Sequence, residues 1–277
     1  AGKMKIGYNG TMSVYTIPEM VDVYSADDYR ALQEIKNPTH LDRLGTTSTD
    51  WQKEIYQTAI GQDHNVSLSG AVKNQPYRAS LGYTDQDGIL KTSNIKRTTL
   101  SLGCNPTFFN EALKLNVNLK GVYNKSRFAN EGAIGAAVQF DPTQPVKENG
   151  SYFAWRDSNG DMIDQATDNP VALLQLREDL ADVYRSVGNF QADYTLPFMP
   201  ELKMNLNLGY DYSHTDGDVT VADNTSFTTQ FAGETRTYYH DREMEILEFY
   251  LNYDKSFDFL KSNLNAVAGY SNQHFFI

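Results

Sequence analysis

Residues 78–105 read RASLGYTDQDGILKTSNIKRTTLSLGCN. Apolar and polar residues alternate, the chain turns through Asp, Gly and Asn, and the alternation resumes. Ala79, Leu81 and Tyr83 share one side of the first run; Leu100, Leu102 and Cys104 share one side of the second. Arg78, Ser80 and Thr84, then Thr99, Ser101 and Asn105, take the other side. Side chains of a strand point alternately to its two faces, so this is a hairpin with one oily and one wet face. Either a protein core or lipid covers the oily one.

The same pattern recurs along the chain. LKLNVNLKGVYN sets Leu113, Leu115, Val117, Leu119 and Tyr123 against Lys114, Asn116, Asn118 and Lys120. LKMNLNLGYDYS sets Leu202, Met204, Leu206, Leu208, Tyr210 and Tyr212 against Lys203, Asn205, Asn207 and Asp211. Nine such runs are expected as strands, at 3–15, 64–72, 77–84, 97–105, 113–124, 184–196, 202–213, 246–255 and 263–274. Most exceed the ~5–6 residues of an ordinary soluble strand. The fold class is therefore all-β, an antiparallel up-and-down meander.

Connections alternate in length. Short turns follow the second, fourth, sixth and eighth strands: KNQP, NPTFFNEA, PFMPE and DFLKS. Segments of about 50, 60 and 30 residues follow the first, fifth and seventh, far beyond the usual loop. In a meander successive connections fall at opposite ends, so one end carries tight turns and the other long loops, as outer-membrane barrels do. Short helices are expected in those loops. Ser25 caps SADDYRALQEIKNP, which stops before Pro38; Thr49 with Gln52 opens a helix ending at Gly61; Asn169 and Pro170 open NPVALLQ.

Composition narrows function. Net charge is −11, which opposes nucleic-acid binding by bulk electrostatics. Residues 127–182 and 216–245 carry the imbalance. No run approaches the ~20 apolar residues of a spanning helix, but a spanning strand needs only ~10 alternating ones. Aromatics gather at strand ends, among them Tyr8, Tyr123, Tyr210, Tyr212, Tyr253, Tyr270, Phe108 and Phe198, as in interfacial girdles. The wet faces are rich in Asn, Ser and Thr, as a barrel lumen would be. Cys104 is the only cysteine, so there is no internal disulfide. The five histidines lie at no metal-ligand spacing, and no GxSxG, phosphate loop or HExxH occurs. Neither an enzyme nor a cofactor is expected.

Two loop features are candidate sites. SYFAWRD brings Tyr152, Phe153 and Trp155 beside Arg156 and Asp157, suited to stacking on sugar rings or to folding into a small loop core. In DSNGDMIDQATD, Asp157, Asn159 and Asp161 match the first three positions of a calcium loop. Gly160 and Asp168 depart from that motif, so a solvated turn is the competing reading.

From Thr49 to Phe109 the sequence closely resembles the start of the barrel in SusC/RagA-like TonB-dependent outer-membrane transporters. KMKIGYNGTMSV, VDVYSADDYRAL and DNPVALL resemble further phrases of that family, so the resemblance runs through nearly all 277 residues. It implies a 22-stranded transmembrane barrel holding a plug, with residues 1–277 its first nine strands or so, an interior fragment lacking the plug and the C-terminal strands. It also implies import of oligosaccharides or peptides across the outer membrane of a Gram-negative bacterium. The implied partners are membrane lipid, a SusD-like surface lipoprotein, and TonB through the missing N-terminal region. The alternative is a secreted all-β carbohydrate-binding or adhesion module, with its oily faces packed in a sandwich.

Overall fold

The computed structural model describes residues 3–276 apart from 74, 164, 224, 229–231, 258 and 260. Twelve strands are described: β1 (Lys5–Tyr15), β2 (Ala59–Val72), β3 (Gln75–Asp87), β4 (Asn94–Cys104), β5 (Thr107–Phe108), β6 (Leu113–Arg127), β7 (Lys147–Glu148), β8 (Ser151–Tyr152), β9 (Arg177–Thr195), β10 (Leu202–Val221), β11 (Glu234–Phe257) and β12 (Ser262–Phe276). One sheet runs β1-β2-β3-β4-β6-β9-β10-β11-β12, each strand beside its successor, with β5 hydrogen-bonded to β6. All its pairings are antiparallel. The nine long strands fall where alternation placed them.

Their register puts the apolar residues on one face. Leu102 pairs with Ala79 and Leu119, and Val117 with Phe190, which pairs with Leu208 and it with Leu247. Leu115, Ala192, Leu206, Phe249 and Tyr270 form the next row. Among the described residues nothing covers this band: Ile6 is 70% exposed, Leu81 53% and Leu208 38%. A sandwich needs a second sheet there, and the only other sheet among the described residues is the β7–β8 hairpin in a loop. The opposite face carries Asn116, Gln191, Asn207 and Glu248 in one row.

The oily band also slants across the register. On β1 it runs from Ile6 to Val14, centred on Gly10, which aligns strand by strand with His64, Tyr83, Thr98, Tyr123, Tyr184, His214 and Asp241. On β6 its centre is Val117, six residues from Tyr123. On β11 it runs from Leu247 to Tyr253, centred nine residues from Asp241 after seven steps between strands. At ~3.3 Å per residue and ~4.8 Å between strands, that slope corresponds to a strand tilt of about 41°. Closed β-barrels tilt their strands by roughly 35–45°. A flat bilayer crossing tilted strands selects this diagonal band; a sandwich core has no reason to.

Three strands run well past the alternating segments. β9, β10 and β11 are 19, 20 and 24 residues long. The segment expected as a loop of about 30 residues after Ser213 is mostly paired strand, with only 222–233 connecting β10 to β11. Beyond Tyr212 residues Ser213–Asp218 are polar or glycine on both faces, so alternation lapses while backbone pairing continues: Asp216 pairs with Asp182 and Tyr239, and Val219, buried like Val221, with Arg236. The acidic residues of 216–245 therefore sit largely on paired strand. The turns KNQP and DFLKS lie partly outside the described residues.

The long connections carry α1 (Ala26–Lys36), a 3-10 segment (Pro38–Arg43), α2 (Trp51–Ile55), α3 (Gly132–Gln139) and α4 (Pro170–Gln175). Ser25 caps α1 by accepting from the Asp28 amide, and Asn169 caps α4 by accepting from Val171 and Ala172. α2 departs from expectation at both ends. Its cap is Asp50, accepting from the Lys53 amide, because the Thr49 hydroxyl donates instead to the Gln144 carbonyl. It stops at Tyr56, since Ala59 already begins β2 and Gly61 pairs with Ser13. These helices supply the protein's apolar core: Trp51, Ile55, Ala133, Phe140, Leu173 and Leu174 are buried together.

Candidate functional site

The aromatic loop residues lie against that core. Phe153 and Trp155 meet edge-to-face at 5.2 Å, and each stands 6.1 Å from the Phe140 ring. Phe140 in turn packs edge-on against Trp51 at 4.7 Å. The Asn169 amide donates to the carbonyls of Val146 and Phe153, tying the aromatic segment to the start of α4. Tyr152 sits under the Lys147 ammonium, 4.7 Å from its ring centre. The loop-core reading of these residues is thus present in the fold, and it leaves parts of the rings lining two separate clefts.

Trp155 borders a cleft of about 440 Å³. Its opposite wall is α1 and the 3-10 segment, which present Tyr29, Gln33, Asn37, His40 and Arg43. Sequence reasoning missed this wall, although Tyr29, Gln33 and Asn37 recur at the four-residue spacing that aligns side chains on a helix. Asp141 closes the cleft floor; its carboxylate accepts from the Thr143 amide and hydroxyl. Burial and then the Asp141 charge push the Tyr29 phenol above its ordinary value, so it stays protonated and available as a donor. An indole beside hydroxyl, amide and imidazole groups offers stacking and hydrogen bonds to an uncharged, polar, ringed or amide-bearing solute. Tyr152 and Phe153 line a second cleft of about 320 Å³ with Ser226 and Phe227.

Asp157 closes a turn. Its Oδ1 accepts from the amides of Asn159 and Asp161, Gly160 takes φ +87°, and the Arg156 guanidinium donates to the Gly160 carbonyl. One of the two Asp157 carboxylate oxygens is therefore engaged by backbone donors of the turn. Among the described residues no three His, Cys, Asp or Glu side chains come together as a metal-binding group.

The wet face of the sheet is electrically uneven. On β9 to β11 charges are matched: Arg185 pairs with Asp211, and Asn207 bridges Asn189 and Glu248. On β3 to β6, Arg78 and Lys120 border a cavity of about 500 Å³ together with Ser80, Ser101 and Asn118. This part of the wet face carries two cationic side chains beside its Ser and Asn residues.

An open meander whose uncovered apolar band crosses the strands at a barrel tilt is a stretch of β-barrel membrane-protein wall. The chain is SusC-like: it is 35% identical over 98% of its length to TonB-dependent receptor SusC of Bacteroides thetaiotaomicron. It is 27% identical over 99% of its length to TonB-dependent receptor P3 of Formosa agariphila. Among solved structures the RagAB peptide importer in its closed-closed state matches 99% of the chain with a TM-score of 0.72 at 20% identity, which speaks for the fold. The chain spans 28% of SusC's length and 35% of the matched RagAB chain. No protein-family model matches it.

Proposed function

We propose that this chain is barrel wall in the outer membrane of a Gram-negative bacterium, part of a TonB-dependent transporter that imports oligosaccharides or peptides. The slanted, uncovered oily band carries this reading, because only a lipid layer meeting tilted strands requires it. The wet face lines the lumen, and the helix-bearing loops form the extracellular mouth. Similarity to SusC and to the RagAB importer supports a surface lipoprotein of the SusD type as partner, and TonB as the source of energy through a region outside this chain. The Trp155 cleft in the mouth is the contact for the incoming solute. The acidic segments around it repel polyanions over the ~8 Å reach of charge at physiological salt.

Uptake in cells carrying the full-length gene tests this, with a panel of neutral glycans, peptides and sulfated glycans. Neutral oligomers should enter and sulfated ones should not, and Trp155→Ala should reduce entry. Import restricted to a sulfated glycan would overturn the substrate reading.

A further inference from the structure

We propose that the wall between β3 and β6 holds a carboxylate-binding site at mid-height in the lumen, built by Arg78 and Lys120. The inference rests on the wet face being the lumen, and goes beyond that reading by naming a chemistry for one part of it. Arg78 lies on β3 opposite Gly103 of β4, which lies opposite Asn118 of β6; Ser80, Ser101 and Lys120 form a second row two residues on. Residue parity puts all six on the wet face, so the two cations flank a shared floor.

That floor is a glycine. A side chain on residue 103 would come within 3.0 Å of the Asn118 amide oxygen, so its absence keeps the cavity open. The cavity measures about 500 Å³, room for a carboxylate and the residue that bears it. The hydroxyls of Ser80 and Ser101 face it and make no hydrogen bond among the described residues, which leaves them free to donate.

The two cations are also unpaired. Among the described residues neither Arg78 nor Lys120 makes an ion pair or a side-chain hydrogen bond, whereas Lys96, Arg185 and Lys255 each have a carboxylate partner. Two positive charges facing a water-filled recess, with donors between them and no acid of their own, are complementary to an anionic oxygen pair. A guanidinium grips a planar carboxylate with two parallel hydrogen bonds. The outer acidic segments select against polyanions, so the group that reaches this recess carries one negative charge, a single carboxylate. It comes either from a solute in transit or from another segment of the full-length protein lying in the lumen.

The test uses purified full-length protein in lipid nanodiscs and a short probe, acetyl-trialanine, whose one charge is its C-terminal carboxylate, against its uncharged C-terminal amide. With an open site, the wild type should bind the free acid about tenfold more tightly than the amide. Arg78→Gln with Lys120→Gln should erase that preference by weakening binding of the free acid, and Arg78→Lys, which keeps the charge but loses the two-pronged grip, should keep only part of it. With the site filled by the protein's own carboxylate, neither probe binds selectively. The double variant should then melt lower than wild type at pH 7 and not at pH 3, where carboxylates are protonated. A preference that survives in the double variant overturns the proposal. So does the absence of both a wild-type preference and a pH-dependent melting difference. Failure of the parent reading would show separately, as oily-face residues inaccessible to lipid.

Discussion

The ring of Tyr210 on β10 lies over Gly188 on β9, its direct cross-strand partner, so closely that a side chain on residue 188 would meet the ring at 2.1 Å. The arrangement repeats where the Tyr77 ring covers Gly70 and the Tyr238 ring covers Gly217, each glycine opposite its tyrosine. A missing side chain in one strand is filled by an aromatic from the next. This locks register and keeps ring surface flat against the sheet.

Gly188→Val should therefore destabilise the full-length barrel by about 1–3 kcal/mol, the usual cost of overpacking, measured by reversible unfolding in lipid. Gly188→Val combined with Tyr210→Ala should recover part of that loss. An unchanged midpoint for the single variant would show that Tyr210 moves aside freely.

The two faces should respond differently to charge. Leu206, in the middle of the oily run of β10, should cost roughly 2–4 kcal/mol as Leu206→Arg. Asn207→Arg next to it should cost much less, since it faces water and the Glu248 carboxylate, which already accepts from Asn207 at 2.9 Å, can pair with it. Equal losses in a bilayer unfolding titration would contradict the assigned faces.

On the strand extension, His214 Nδ1 stands 2.6 Å from Asp241 and Nε2 stands 3.0 Å from Asp216. The hydrogen bond to Asp241 chiefly, opposed by desolvation and reinforced by Asp216, raises the imidazole above its ordinary value. The folded state therefore favours the protonated ring. That contribution is fully present below the unfolded value near ~6.5 and is lost as pH rises through the higher folded value. Stability measured upward through this window should fall in the wild type and stay flatter in His214→Asn. Parallel curves would show that the ring gains nothing from its two carboxylates.

Asn169 is 2% exposed and uses both ends of its amide, accepting from Val171 and Ala172 and donating to Val146 and Phe153. Asn169→Ala removes a helix cap and strands two carbonyls, so loop-core stability should drop by about 1–3 kcal/mol. Hydrogen exchange should quicken across residues 146–175 and leave β6 unaffected. Unchanged protection around Phe153 would show that Asn169 does not hold the segment.

The strands were legible where one face is oily and the other polar, because that contrast writes alternation into Leu202–Tyr212 and Leu113–Tyr123. It lapses beyond Tyr212, where Ser213–Asp218 are polar or glycine on both faces, and the extension to Val221 passes for loop. The caps of α1 and α4 were readable from Ser25 and Asn169. α3 was not: Glu131 makes no side-chain cap, and Gly132–Gln139 is held by burying Ala133 and Ala137 rather than by local signals. Trp155 stood out as an exposed-loop aromatic, but the cleft beside it needs α1, more than a hundred residues earlier in the chain, which no local pattern connects to it.

Depth measurement by spin labels in bilayers distinguishes tilted barrel wall from any other setting of this sheet. Single labels placed at Gly10, Leu102, Val117 and Phe249 of the full-length protein follow the slanted band. A second set at Ile6, Leu119 and Glu245 follows one register row with Leu102. Strands tilted by about 41° in a membrane predict that the first set lies at similar depth near the bilayer centre, with high oxygen and low aqueous accessibility. The second set should then climb steadily from one side of the bilayer centre to the other. Equal depth along the register row, or aqueous accessibility at Leu102 and Val117, would contradict the reading of this sheet as tilted barrel wall.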